Sequence, residues 1–102
     1  MPQFDLYKNP RAGQYPLLLD VQTDLLSQLS TRVVVPLAKL EKYPAARLKR
    51  LNPTVTTGGI EYVLVVPLLA AIPKVALGKS IGSLATSRTE IIAALDLLLT
   101  GT

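Results

Sequence analysis

The chain has 102 residues, 49% hydrophobic and 18% charged, which excludes a disordered polyelectrolyte and fits a single domain, residues 1–102, with one modest core. It holds no cysteine and no histidine, so disulfides, thiolate or imidazole zinc sites and Ser-His-Asp or Cys-His nucleophile systems are excluded. The net charge of +4 is concentrated: Lys39, Lys42, Arg47, Lys49 and Arg50 share residues 39–50 with one acid, Glu41, and the rest of the chain balances.

Residues 3–7, QFDLY, alternate apolar and polar and predict a first strand. The cluster Asn9-Pro10-Arg11-Ala12-Gly13 predicts a turn, and YPLLLDV, Tyr15 to Val21, a second strand that pairs with the first as a hairpin. Thr23 to Thr31 is more polar and predicts a loop, with Leu25 and Leu26 unexplained inside it. The β-branched run Arg32 to Leu37 predicts a third strand ending at Pro36. A short helix is expected over Ala45–Leu51, with Pro44 suited to its first turn and Pro53 stopping it. TVTT, residues 54–57, then Gly58-Gly59, then Ile60–Val66 predict a second hairpin. The last of these strands is apolar on both faces and belongs in the interior or at an interface. A short strand is expected at Lys74–Leu77.

Ser87-Arg88-Thr89-Glu90 fits a capping box and opens a helix to about Thr100, with Gly101 as its C′ residue. Ile91, Leu95 and Leu98 share one face, with Ile92 and Leu99 beside them. Thr89, Ala93, Asp96 and Thr100 form a narrow polar stripe, spaced by four, three and four residues. The fold class that follows is mainly β, an antiparallel sheet with one C-terminal helix packed on it.

The first ten residues lack an apolar signal-peptide core. The longest apolar run, Tyr62 to Pro73, is too short to span a bilayer and carries Pro67 and Pro73. A cytoplasmic protein with no membrane partner is expected. Gly78-Lys79-Ser80 resembles the end of a phosphate loop, but the required upstream glycine position holds Pro73, so a turn is the better reading. The basic stretch 39–50 has one aromatic, Tyr43, and no stacking platform. It reads as a solvated face, or as a dock for an acidic protein segment. Arg32, Arg47, Arg88, Ser83, Thr86 and Asp96 are the only pieces for an acid–base ribonuclease site; their spacing assembles none, and scattered surface polar residues are the better reading. No catalytic residue, metal or cofactor is expected. The high apolar share for so small a domain points to a homodimer.

Five segments taken together resemble the CcdB family. They are Gln3-Phe4 with Leu6-Tyr7; Asp20-Val21-Gln22-Thr23-Asp24-Leu25-Leu26; Arg32-Val33-Val34-Val35-Pro36-Leu37-Ala38; Asn52-Pro53-Thr54-Val55; and Ala71-Ile72-Pro73-Lys74-Val75. Order, spacing and length match from end to end. The resemblance implies an SH3-like barrel of the CcdB/MazF type, forming a homodimer. It implies a toxin of a toxin–antitoxin module that binds the DNA gyrase A subunit and traps the enzyme on cleaved DNA. A CcdA-like antitoxin neutralises such a toxin, and DNA is met only indirectly, when the pair represses its own operon. Carried across by the resemblance, the gyrase-binding residues are Leu25, Leu26, Asp96, Thr100, Gly101 and Thr102.

The tail departs from the family pattern. Thr100-Gly101-Thr102 stands where Trp-Gly-Ile is familiar, and Asp96 where an Asn is familiar. An aromatic anchor at an interface contributes on the order of 2–4 kcal/mol, so the tail has lost most of its apolar contact. Two alternatives to gyrase poisoning therefore stand beside it: a MazF-like endoribonuclease on the same barrel, and a harmless antitoxin-binding co-repressor.

Overall fold

The computed structural model describes residues 2–11, 13–43 and 49–101. Among these described residues seven strands follow in order: β1 (Asp5–Lys8), β2 (Leu17–Asp20), β3 (Thr31–Lys39), β4 (Thr54–Thr57), β5 (Ile60–Leu64), β6 (Ala70–Pro73) and β7 (Gly82–Ser83). A single helix, α1 (Arg88–Thr100), follows the last strand. All pairings are antiparallel, and the path across the sheet is β4-β5-β3-β2-β1-β7. The mainly β class with one C-terminal helix is as the sequence predicts.

The sheet forks at β3. Along one edge its first half, Thr31–Val34, pairs with β6, and its second half, Leu37–Lys39, pairs with β5. Pro36 lies inside this nine-residue strand, where an end was expected. A proline lacks the ladder donor, but the N and O of one strand residue point to the same side. The Pro36 carbonyl accepts from Val65 N–H at 2.9 Å, so the proline nitrogen faces the gap where β6 hands over to β5. Neither ladder asks for a donor there.

Alternation sorts the side chains onto two faces. Leu6, Leu17, Leu19, Val35, Leu37 and Leu64 meet Ile91 and Ala94 of α1 in the main core. Tyr7, Leu18 and Val34 point the other way and pack with Leu77 and Ile72. A third cluster, Ala38, Val63 and Val65, continues that second face toward Tyr15, Leu40 and Tyr43. Tyr62, Val63 and Leu64 are all buried, as expected of a strand apolar on both sides, whereas Ile60 at its start is exposed.

Three local expectations are corrected. Lys74–Ala76 is a 3-10 turn, not a strand; the strand lies earlier, at Ala70–Pro73, because β3 offers its free edge there. The strand expected to reach Val66 stops at Leu64, and Val66–Leu68 turns as a 3-10 helix with Pro67 in its first positions. Ser87 does not cap α1: a 3-10 turn over Ala85–Ser87 leads straight into the helix, which leaves Ser87 at φ −99° and ψ 17° and its side chain without a capping bond. The helix expected over Ala45–Leu51 falls mostly outside the described residues, and Lys49–Leu51 form a turn.

The β4–β5 hairpin closes through Gly58 at φ +60° and Gly59 at φ +78°, the positive values a two-residue turn of this kind needs. Phe4 also has a positive φ, +71°, while its side chain is buried. A non-glycine residue there costs about 1–3 kcal/mol and needs support on both sides. Phe4 N–H donates to the Asp20 carbonyl at 2.6 Å, and its own carbonyl accepts from Leu84 N–H at 2.8 Å.

Candidate functional site

The polar segment after β2 is an ordered 3-10 turn, Asp24–Leu26. Thr23 Oγ1 accepts from Leu25 N–H at 3.3 Å and starts it. Leu26, Ser27 and Leu29 N–H then donate back to Thr23, Asp24 and Leu26 carbonyls. The turn also has supports outside itself. Gln3 N–H donates to Asp24 Oδ1 at 2.9 Å, Gln22 Nε2 donates to the Leu26 carbonyl at 3.1 Å, and Lys74 Nζ donates to the Ser27 carbonyl at 2.9 Å. On this held backbone Leu25 is 92% exposed, with Leu26 and Leu29 about half exposed. Folding leaves the two leucines that the sequence could not explain in solvent.

Beneath the turn lies a pair that spacing alone did not reveal. The β2–β3 register sets Asp20 opposite Val34, and Val21 N–H donates to the Val33 carbonyl. Gln22 then falls opposite Arg32, which puts Arg32 diagonal to Asp20 on the same face. Arg32 Nε and Nη2 both reach Asp20 Oδ2 at 2.8 Å, and neither side chain is exposed. Nη2 also donates to the Gln22 carbonyl at 3.1 Å and lies 3.6 Å from Asp24 Oδ1. Gln22 is buried as well: its N–H donates to Asp20 Oδ1 at 3.0 Å, and its Oε1 accepts from Val33 N–H at 3.1 Å. Arg32, expected among scattered surface polar residues, is instead fully buried, because an aspartate waits for it one strand away.

The second group of expected site residues sits on the last turn of α1. Thr89, Ala93, Asp96 and Thr100 are all exposed, as the stripe predicts, while Ile91 and Ala94 are buried. Leu99, expected beside the packed face, is 69% exposed and widens the open surface. The end is built as the sequence suggests. Gly101 takes φ +78°, and its N–H reaches the Asp96 and Leu97 carbonyls, while Thr100 Oγ1 donates to the Asp96 carbonyl at 2.8 Å. Arg88, Thr89, Ile92, Ala93 and Asp96 line a shallow depression along this face. Thr102 lies outside the described residues.

The two groups have separate supports. The Leu25–Leu26 turn is bonded to Gln3, and the next residue, Phe4, lies under the Arg88 guanidinium with its ring centroid at 5.8 Å. That cation–π contact marks the start of α1, whereas Asp96 to Gly101 close its end, about 18 Å further along for a helix of this length.

The other candidates are accounted for locally. Arg32 is buried and cannot reach a substrate, and Arg47 lies outside the described residues. Ser83 Oγ accepts from Ala85 N–H at 3.1 Å, and Thr86 and Arg88 are exposed. Gly78-Lys79-Ser80 is an exposed loop in which Ser80 Oγ donates to the Gly82 carbonyl. Lys42, Lys49 and Arg50 are solvated, and Lys39 and Lys42 flank a hollow floored by Gln14 and Pro16. Among the described residues no three acidic side chains cluster as a metal site requires, and no helix is long and apolar enough to cross a membrane.

Burial, with Asp5 and Asp20 nearby, raises the Tyr7 phenol above its ordinary value. Compared with known protein families, the chain matches the family described as CcdB protein across residues 3–101.

Proposed function

Because the chain belongs to the CcdB family across nearly its whole length, a family of toxin–antitoxin toxins, we propose that it acts by binding the DNA gyrase A subunit and trapping the cleaved DNA complex. The surfaces assigned to the contact are Leu25 and Leu26 on the held turn and Asp96, Thr100, Gly101 and Thr102 at the helix end. The observation that carries the reading is Leu25, 92% exposed on a turn anchored from three directions. An apolar side chain kept ordered in water loses little freedom on binding, and a preordered contact raises affinity for that reason.

The altered tail makes the turn the more important half. Threonines offer little of the apolar area of an aromatic anchor, so Leu25 and Leu26 supply most of the apolar contact. The protein acts as a homodimer, and a CcdA-like antitoxin with an acidic binding segment neutralises it. The ribonuclease reading draws no support from Arg32, which is wholly enclosed.

A supercoiling and cleavage assay with gyrase of the source organism tests this. The intact chain should stabilise cleaved DNA, and a variant lacking residues 100–102 should do so less. No trapping by the intact chain removes the gyrase reading and favours the co-repressor, which growth after induced expression then checks.

A further inference from the structure

We infer that Arg32, with Asp20 and Gln22, is a positioning residue that holds the Leu25–Leu26 turn in the shape its target meets; the target side of this inference rests on the gyrase reading above. Three observations support it.

The first is connectivity. Arg32 Nη2 binds the Gln22 carbonyl, which is the backbone entering the turn, and lies 3.6 Å from Asp24 inside the turn. Asp20 fixes Gln22 from below through its N–H, and the Gln22 side chain spans from Val33 in β3 to the carbonyl of Leu26. The guanidinium therefore holds the entry to the turn, and the Gln22 side chain holds its far end at Leu26, in a segment whose outward side chains make no core.

The second is cost. Two fully enclosed charges lose hydration worth several kcal/mol each, and well-packed apolar residues often stabilise a fold as well or better. Stability alone is a poor account of such a pair. A geometric account suits it, because a guanidinium fork fixes direction as well as distance.

The third is the turn itself. A three-residue 3-10 helix with no buried residue has little cohesion of its own. Its order comes from the groups around it, and beside Gln3 and Lys74 at its rim the enclosed Arg32 and Gln22 hold it from beneath.

Hydrogen exchange on the full-length protein gives the direct test, using Arg32→Met and the milder Gln22→Met. The expected result is a loss of protection of about tenfold or more at the Leu26, Ser27 and Leu29 amides, with the Leu64 and Val65 amides of the central sheet unchanged in Gln22→Met. Uniform loss across all amides, or none at the turn, overturns the inference. If Arg32→Met does not fold, Gln22→Met decides alone.

The affinity of each variant for a fragment of the gyrase A subunit supplies the second readout. Gln22→Met and Leu25→Ala should each weaken binding, and the double variant should be little weaker than Leu25→Ala alone, because a displaced turn and a missing leucine lose the same contact. Additive losses overturn the link to the target. If the intact chain does not bind the gyrase fragment, the gyrase reading fails, and the exchange result still decides whether Arg32 and Gln22 order the turn.

Discussion

Asp20 and Arg32 lie twelve positions apart, and only the register of β2 on β3 makes them neighbours. Removing one partner of an enclosed pair strands the other charge, which costs about 3–5 kcal/mol. Asp20→Leu should lower stability by that amount in urea unfolding. Combining it with Arg32→Met should cost much less than the two single losses added together. Tyr7 behaves differently, because burial and then Asp5 and Asp20 hold its phenol neutral. A group with a raised folded value binds its proton more tightly in the native state, so its contribution is complete below the ordinary value of 10.0 and declines as pH rises beyond it. Urea midpoints between about pH 8 and pH 11 should therefore fall more steeply for the native sequence than for Tyr7→Phe.

α1 gives two contrasting expectations at its ends. Gly101 sits at φ +78° with open space where a side chain would project, so Gly101→Ala should cost about 1 kcal/mol through backbone strain alone. Ser87→Ala should stay within about 0.5 kcal/mol in the same unfolding assay, although its sequence pattern promised a cap worth about 1 kcal/mol. The pattern was correct about where the helix begins and misled about the bond, because pattern cannot see the 3-10 turn that delivers the chain. The same limit explains the strands. Alternation made β1 readable, the apolar run after the Asn9–Gly13 turn cluster made β2 so, and Gly58-Gly59 marked the β4–β5 hairpin. Ala70-Ala71-Ile72-Pro73 has weak strand propensity and is extended only because β3 has an edge to offer. The exposed stripe on α1 was legible from helical spacing, and Leu25 and Leu26 stood out as apolar residues in polar company. The Asp20–Arg32–Gln22 support was not legible, since it depends on a register that no local motif encodes.

At the scale of the whole molecule, large apolar side chains among the described residues stand exposed away from the candidate site, Leu68, Val75 and Ile81 among them. Leu68 borders a groove on the second face of the sheet, with Pro36, Ala70 and Ile72. A homodimer predicts a sedimentation mass of twice the 11.0 kDa chain and a melting temperature that rises with protein concentration. Leu68→Asp should shift the protein toward the single-chain mass if the second copy seats on this groove; an unchanged dimer places the interface elsewhere.

The fork at β3 also bears on how this architecture can change over generations. β6 and β5 take their alignment from separate stretches of one strand, and the donor-less Pro36 stands between them like a joint between two rails. A slip in one ladder stops at that joint. Val65 and Val66 of the connection are buried, so any change of its length among descendants falls to the exposed Pro67 and Leu68, where each ladder can keep its phase. Diversification in that connection does not oblige β4 and β5 to move with it.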